Sequence, residues 1–187
     1  IAGVALKNPL IAASGAFGFG EEYSAFYPIS VLGGVSSKGL TLAPRPGNPP
    51  PRIAETPSGM LNAVGLQNPG LDCFLEQHLP WLRAQDTAVI ANIAGNTPED
   101  YCAMAERLSD SDVDMIEMNI SCPNVKQGGV QFGTSCENAA GITAKVRRVC
   151  KKPLMVKLSP NVADIGEIAA AVEAAGADAI SLINTLT

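Results

Sequence analysis

The sequence predicts an α/β fold, a (β/α)8 TIM barrel of parallel strands, and three observations carry that prediction. Apolar runs rich in β-branched residues recur along the chain with helix-like segments between them. The runs are continuously apolar rather than alternating, which is how parallel strands covered on both faces read. Polar residues then fall at or near the carboxyl end of one run after another: Ser14, Lys38, Asn92, Asn119, Lys157 and Asn184. Polar groups converging from several strand ends describe the active face of a closed barrel better than the single crevice of an open doubly wound sheet.

The first run, Leu10 to Ser14, leads into Gly15-Ala16-Phe17-Gly18-Phe19-Gly20, a turn whose glycines let backbone approach a flat ligand. Its spacing is not the GxGxxG of a dinucleotide turn. The second run, Val31 to Val35, is followed by Ser36-Ser37-Lys38-Gly39. Next comes a Gly/Pro-rich stretch, residues 42–70, stiffened by Pro44, Pro46, Pro49, Pro50 and Pro51. It is far longer than an ordinary connection of ~2–6 residues, and it is expected to be an inserted loop at the active-site face, a lid or substrate wall. A helix is expected from Leu71 to Ala84, carrying the single histidine, His78, as a partly exposed helix residue.

The third run, Ala88 to Asn92, precedes Thr97-Pro98-Glu99-Asp100, which reads as a helix N-cap with proline in the first turn. The fourth is Met115 to Asn119, with a helix from Ser135 to Cys150 after it. The fifth is Leu154 to Leu158, with a helix from Asn161 to Ala175 stopped by Gly176, and the sixth is Ala179 to Asn184. The 187 residues compare with ~250 for the closed fold, so the chain reads as a single partial barrel, about two βα units short. Open strand edges, poor cofactor retention and aggregation are expected of such a fragment.

Composition narrows the function. The apolar fraction is 47% and the charged fraction 17%, which excludes a disordered or coiled-coil chain. No run approaches a membrane span, Ile1 to Pro9 is not expected to be a signal peptide, and a formal net charge of −5 with no basic cluster beyond Arg147-Arg148 and Lys151-Lys152 gives no footprint for nucleic acid. A soluble cytoplasmic protein with a small-molecule partner is expected. The five cysteines form no CxxC pair, so neither a zinc site nor a disulfide framework is indicated.

Asn119-Ile120-Ser121-Cys122-Pro123-Asn124 is the most informative segment, because it sets a thiol between carboxamides in a proline-forced turn after a buried strand. Carboxamides recognise an edge that offers both donors and acceptors. A thiol held in that setting can take a proton or attack carbon, where a solitary buried cysteine would be inert. Lys38 and Lys157 are single charges at apolar strand ends, and each needs a counter-charge or an acceptor. A ligand anion or an electron-rich heterocycle supplies one.

Together with Ala13-Ser14-Gly15, Ser37-Lys38-Gly39, Asn62-Ala63-Val64-Gly65-Leu66-Gln67-Asn68-Pro69-Gly70 and Ile183-Asn184-Thr185, this segment closely resembles the dihydroorotate dehydrogenases, flavin enzymes of pyrimidine synthesis. The resemblance runs essentially end to end and implies an FMN-binding barrel that oxidises dihydroorotate to orotate. Cysteine at Cys122 resembles the soluble class. Val125-Lys126-Gln127-Gly128-Gly129 and Gly65-Leu66-Gln67-Asn68 read more like the NAD-linked subtype than the fumarate-reducing one. That subtype works with an iron-sulfur flavoprotein subunit carrying FAD and a 2Fe-2S cluster, and a homodimer of the catalytic chain is expected.

Carried over by position, the resemblance makes Cys122 the base. It assigns the substrate to Lys38, Asn62, Asn119, Asn124, Asn184 and Thr185, with the backbone of Val64, Gly65 and Leu66. It assigns FMN to Ser14, Lys38, Gly39, Asn92, Asn119, Lys157 and Ile183, with no metal. The family's phosphate-binding turns follow its last two strands and fall beyond Thr187. Three other readings compete: a dihydropyrimidine dehydrogenase-like FMN barrel, against which Asn124 argues; a non-catalytic barrel fragment, which would not purify yellow; and a Schiff-base aldolase using Lys157, which leaves Cys122 and the asparagines idle.

Overall fold

A computed structural model describes residues 1–121 and 132–185. Cys122 and Asn124 lie outside the described residues, as does the segment Val125 to Gly129. In chain order the strands are β1 (Ile11–Ala12), β2 (Gly34–Ser36), β3 (Ile53–Thr56), β4 (Gly59–Asn62), β5 (Ala88–Ile93), β6 (Met115–Asn119), β7 (Leu154–Lys157) and β8 (Ala179–Ser181). The short β3 and β4 pair as an antiparallel hairpin, and the other six form one parallel sheet in the order β1-β2-β5-β6-β7-β8. This is the succession of strands in a (β/α)8 barrel.

Every apolar run therefore holds a strand, several of them shorter than the run. The second starts only at Gly34, because Ile29–Val31 takes a 3-10 turn after Pro28. The stretch 42–70 departs from an irregular loop, since the exposed hairpin of β3 and β4 lies inside it.

The helices are α1 (Gly70–Cys73), α2 (Leu79–Arg83), α3 (Pro98–Ser109), α4 (Cys136–Val149) and α5 (Ile165–Ala174). A π-helical turn, Phe74–His78, joins α1 to α2, so the stretch expected as one helix widens in the middle. The widening falls just where Pro80 has no N–H to give the carbonyl of residue 76. Helix α3 starts as its sequence predicts: Thr97 Oγ1 accepts from Asp100 N at 3.2 Å while Asp100 Oδ2 accepts from Thr97 N at 3.0 Å. Helix α5 begins later than Asn161, because Asp164 is its cap and accepts from Gly166 N at 2.7 Å. Gly176, at φ +105°, turns the chain out of it.

Two faces of the sheet carry two different interiors. Val35, Val89, Ala91, Ile93, Ile116, Met118, Leu154 and Val156 point outward and are buried against the helices in the main core. On the opposite face a smaller apolar cluster, Ile90, Met115 and Met155, packs with Ile11, Ala179, Ala2 and Val4. Residues from β1 and β8 thus share a cluster although four strands stand between them. Side chains of this face also meet across an intervening strand, Glu117 of β6 with Ser36 of β2 and with Ser181 of β8, while adjacent strands are ~4.8 Å apart, so the sheet is curled around this face.

At the amino ends of the strands one arrangement occurs twice. Asp114, just before β6, accepts from Arg83 Nη1 at 2.6 Å and from Val89 N of β5 at 2.7 Å. Asp178, just before β8, accepts from Arg147 Nη1 at 2.7 Å and from Leu154 N of β7 at 2.8 Å. Each aspartate ties a helix to the start of the neighbouring strand, leaving the opposite ends free to carry polar groups.

Candidate active site

Side chains two apart on a strand share a face, and paired residues of parallel strands share it too. Glu117 and Asn119 on β6, Lys157 opposite Asn119 on β7, Ser181 opposite Lys157 on β8, and Asn92 opposite Glu117 on β5 therefore lie on the concave face. Above the apolar cluster of that face sits a polar layer, and above it the strand ends.

Several residues singled out from the sequence meet there. Asn184 Nδ2 lies 3.4 Å from Asn119 Oδ1, at the limit of a hydrogen bond, and Asn119 Oδ1 also accepts from Ser121 N at 3.2 Å. Tyr101 Oη donates to the Asn119 carbonyl at 2.8 Å, which fixes the strand end from the α3 side. Lys38 N donates to the carbonyl of Gly18 at 2.9 Å, joining the second strand end to the first turn beside Ser14. Asn92 N donates to Ser37 Oγ at 3.1 Å. Neither ammonium, Lys38 Nζ or Lys157 Nζ, has an ion-pair or hydrogen-bond partner among the described residues. Burial pushes the Lys38 pKa down from its ordinary value.

The long loop reaches the same place through Leu66. A Cβ on Gly39 would come within 3.1 Å of both Leu66 Cδ1 and Asn92 Oδ1, so a side chain there would crowd both. Gly65 takes a positive φ of +73°, and a Cβ there would meet Asn48 at 2.8 Å. Asn68 holds the loop's return: its Oδ1 accepts from Thr41 N at 3.1 Å and Gly70 N at 3.0 Å, and its Nδ2 donates to Leu66 O at 2.9 Å. Val64 is half-buried nearby in sequence, whereas Asn62 is exposed at the end of β4, opposite Ile53. Asn62 and Ser14 make no side-chain hydrogen bond to the strand-end group among the described residues, Ile183 is 37% exposed, and Thr185 Oγ1 lies 3.5 Å from Asn184 Oδ1. His78 stacks on Phe19 of the first turn, ring centroids 4.0 Å apart, and its Nδ1 lies 2.9 Å from Glu21 Oε1.

The sequence reading missed Glu117. It is 4% exposed and accepts from Asn92 Nδ2 at 2.7 Å, from Ser181 Oγ at 2.6 Å, and from Ser36 Oγ. A signal was present, because a lone acid inside Met115-Ile116-Glu117-Met118-Asn119, two positions from Asn119, has to face the same interior. A cavity of about 190 Å³ beside the mouth, between Thr41–Arg45 and Ala94–Asn96, contains none of the residues singled out. Among the described residues no group of three or more His, Cys, Asp or Glu is placed to hold a metal ion.

A cofactor that offers an N–H or O–H donor fits what is there. Asn92 is 1% exposed, and its Oδ1 has no hydrogen-bond partner among the described residues, although buried acceptors are normally satisfied. That atom lies beside Gly39, 3.1 Å from where a Cβ would stand, and Lys38, one residue before, has no ion-pair partner among the described residues.

Fold and strand ends together define a (β/α)-barrel protein with polar side chains gathered at the carboxyl ends of its strands. The chain belongs to the dihydroorotate dehydrogenase family, whose sequence profile matches residues 1–187. It is 57% identical over 185 residues to the dihydroorotate dehydrogenase B (NAD(+)) catalytic subunit of Petrotoga mobilis, covering 99% of this chain and 62% of that protein. It is 58% identical over 185 residues to the protein of the same name from Bacillus cereus strain B4264, covering 98% of this chain and 60% of the relative. It is also 58% identical over 186 residues to the one from Alkaliphilus oremlandii, covering 100% and 62%. The chain thus spans about three-fifths of the length of these relatives. No described helix is long and apolar enough to cross a membrane.

Proposed function

We propose that the protein to which these residues belong oxidises (S)-dihydroorotate to orotate, with FMN as the immediate electron acceptor, in pyrimidine synthesis. The observation that carries the reading is the buried Asn92 Oδ1 beside Gly39, without a partner among the described residues as Lys38 Nζ is, together with the approach of Asn184 to Asn119. Amides suit the N–H and C=O edge of a dihydropyrimidine, and an ammonium suits its carboxylate. Asn62, Asn124 and Thr185, with backbone groups of Val64, Gly65 and Leu66, would complete the substrate wall that the loop 42–70 forms over the mouth. Ser14, Lys38, Gly39, Asn92, Asn119, Lys157 and Ile183 would hold the cofactor.

Bound FMN would supply a two-electron acceptor for the hydride leaving carbon 6. Cys122 would take the proton from carbon 5, so the substrate loses one hydride and one proton and gains a C=C bond. Lys38 would hold the substrate carboxylate and keep the ring in register, and closing Leu66 over Gly39 would exclude water from the reacting atoms. The name borne by the relatives, an NAD-linked catalytic subunit, supports delivery of electrons to NAD through a second subunit. That subunit would be the iron-sulfur flavoprotein with FAD and a 2Fe-2S cluster, working with a cytoplasmic homodimer of this chain.

Steady-state oxidation of dihydroorotate and of dihydrouracil by the FMN-loaded protein, with an artificial acceptor, tests the substrate. Turnover of dihydroorotate alone is the expected result. Turnover of dihydrouracil would transfer the assignment to the dihydropyrimidine dehydrogenase-like alternative.

A further inference from the structure

Beneath the mouth lies a buried carboxylate that the proposed chemistry does not use. Glu117 on β6 receives donors from three other strands: Ser36 of β2, Asn92 of β5 and Ser181 of β8. A group that served only to fill this interior would be better replaced by an apolar one, since a buried charge is a poor source of stability. What the carboxylate does that an apolar side chain cannot is choose an orientation. Carboxylate oxygens only accept, whereas the two ends of a carboxamide differ. The 2.7 Å contact therefore turns Asn92 Nδ2 toward Glu117 and leaves Oδ1 beside Gly39, buried and without a partner among the described residues.

We propose that Glu117 is a positioning residue of the flavin site, locking the Asn92 amide so that Oδ1 is presented as an acceptor to a donor of the bound cofactor. This inference rests on the FMN reading above. Ser36 and Ser181 hold the carboxylate in place and do not themselves set the amide.

The test is a double-mutant cycle on FMN affinity in the FMN-loaded protein, with Glu117→Gln and Asn92→Ala. A glutamine can donate as well as accept, so the Asn92 amide loses its preferred orientation. Each single variant is expected to weaken FMN binding about tenfold, and the pair no more than Asn92→Ala alone. The flavin midpoint potential is expected to move positive in Glu117→Gln, because a negative charge below the site no longer opposes electron uptake. Additive losses, or an unchanged affinity in Glu117→Gln, would overturn the inference while leaving the FMN reading intact. A wild-type protein that binds no FMN would overturn both. Ser36→Ala and Ser181→Ala keep the Glu117 to Asn92 contact and serve if Glu117→Gln does not fold. Both should stay within about twofold of wild type, and a loss as large as that of Asn92→Ala would show the network to be a structural tie only.

Discussion

Lys38 is held at a strand end where burial lowers its pKa below the ordinary 10.5. An anion bound beside it favours the ammonium and raises that pKa again. Affinity for orotate should therefore be complete at pH values below the lowered pKa and fall as pH rises through it toward 10.5. The sign for the free protein is the opposite: the buried ammonium costs stability at neutral pH, and that cost is relieved over the same window. Lys38→Met should weaken orotate binding by about tenfold to a hundredfold, flatten the pH dependence, and leave the free protein no less stable. Titration of orotate affinity against pH in both proteins checks this, and a wild-type affinity that rises with pH would contradict it. The strand-end placement of Lys38, Asn92, Asn119, Lys157 and Asn184 was legible in the sequence because each is a polar residue at or near the end of an apolar run. Glu117 was missed because it stands inside a run, where only the alternation of faces shows that it shares the interior with Asn119. Ser36 and Ser181 carry no such mark, since a serine in a strand becomes informative only when a curled sheet brings it to a partner on another strand.

At the scale of elements, the two ends of the sheet have separate duties. Asp114 ties Arg83 to the amino end of β5, far along the strand from the mouth. Asp114→Ala should lower stability by roughly 1–3 kcal/mol, read from denaturant unfolding, with KM unchanged. Asn68 belongs to the other end and holds the return of the loop through Thr41, Gly70 and Leu66. Asn68→Ala should raise KM for dihydroorotate severalfold by loosening Leu66 over Gly39, beyond a stability loss of about 1–3 kcal/mol from the donors it strands. A KM effect from Asp114→Ala larger than that from Asn68→Ala would contradict this division. The helix starts at Thr97 and the strand cores were readable from capping and apolar runs, which are local signals. The hairpin of β3 and β4 was not, because proline density hid two four-residue strands that are exposed on every position. The π turn at Phe74–His78 was equally hidden, although Pro80 gives its cause in retrospect.

At the scale of the whole molecule, the curl of the sheet converts a sequence of separate strand ends into one mouth. Contacts from Glu117 to Ser36 and to Ser181 each span an intervening strand, so the polar layer and the curvature are one fact seen twice. Below it, Ile90, Met115 and Met155 pack with the half-buried Ala2 and Val4, which gives the mouth an apolar floor. Leu10, at 63% exposure, and Leu182, at 67%, stand beside the two edge strands of the sheet. The chemistry proposed for this mouth needs one residue outside the described set, Cys122, and its assignment as the base is the central claim. The most direct measurement is the anaerobic visible spectrum of the FMN-loaded protein before and after adding dihydroorotate, for wild type and Cys122→Ala. Bleaching of the flavin band in wild type, slowed about 10²- to 10⁴-fold in the variant, is the expected result. A variant that bleaches as fast as wild type would remove Cys122 from the proton transfer, and a flavin that stays oxidised in wild type would contradict the reaction itself.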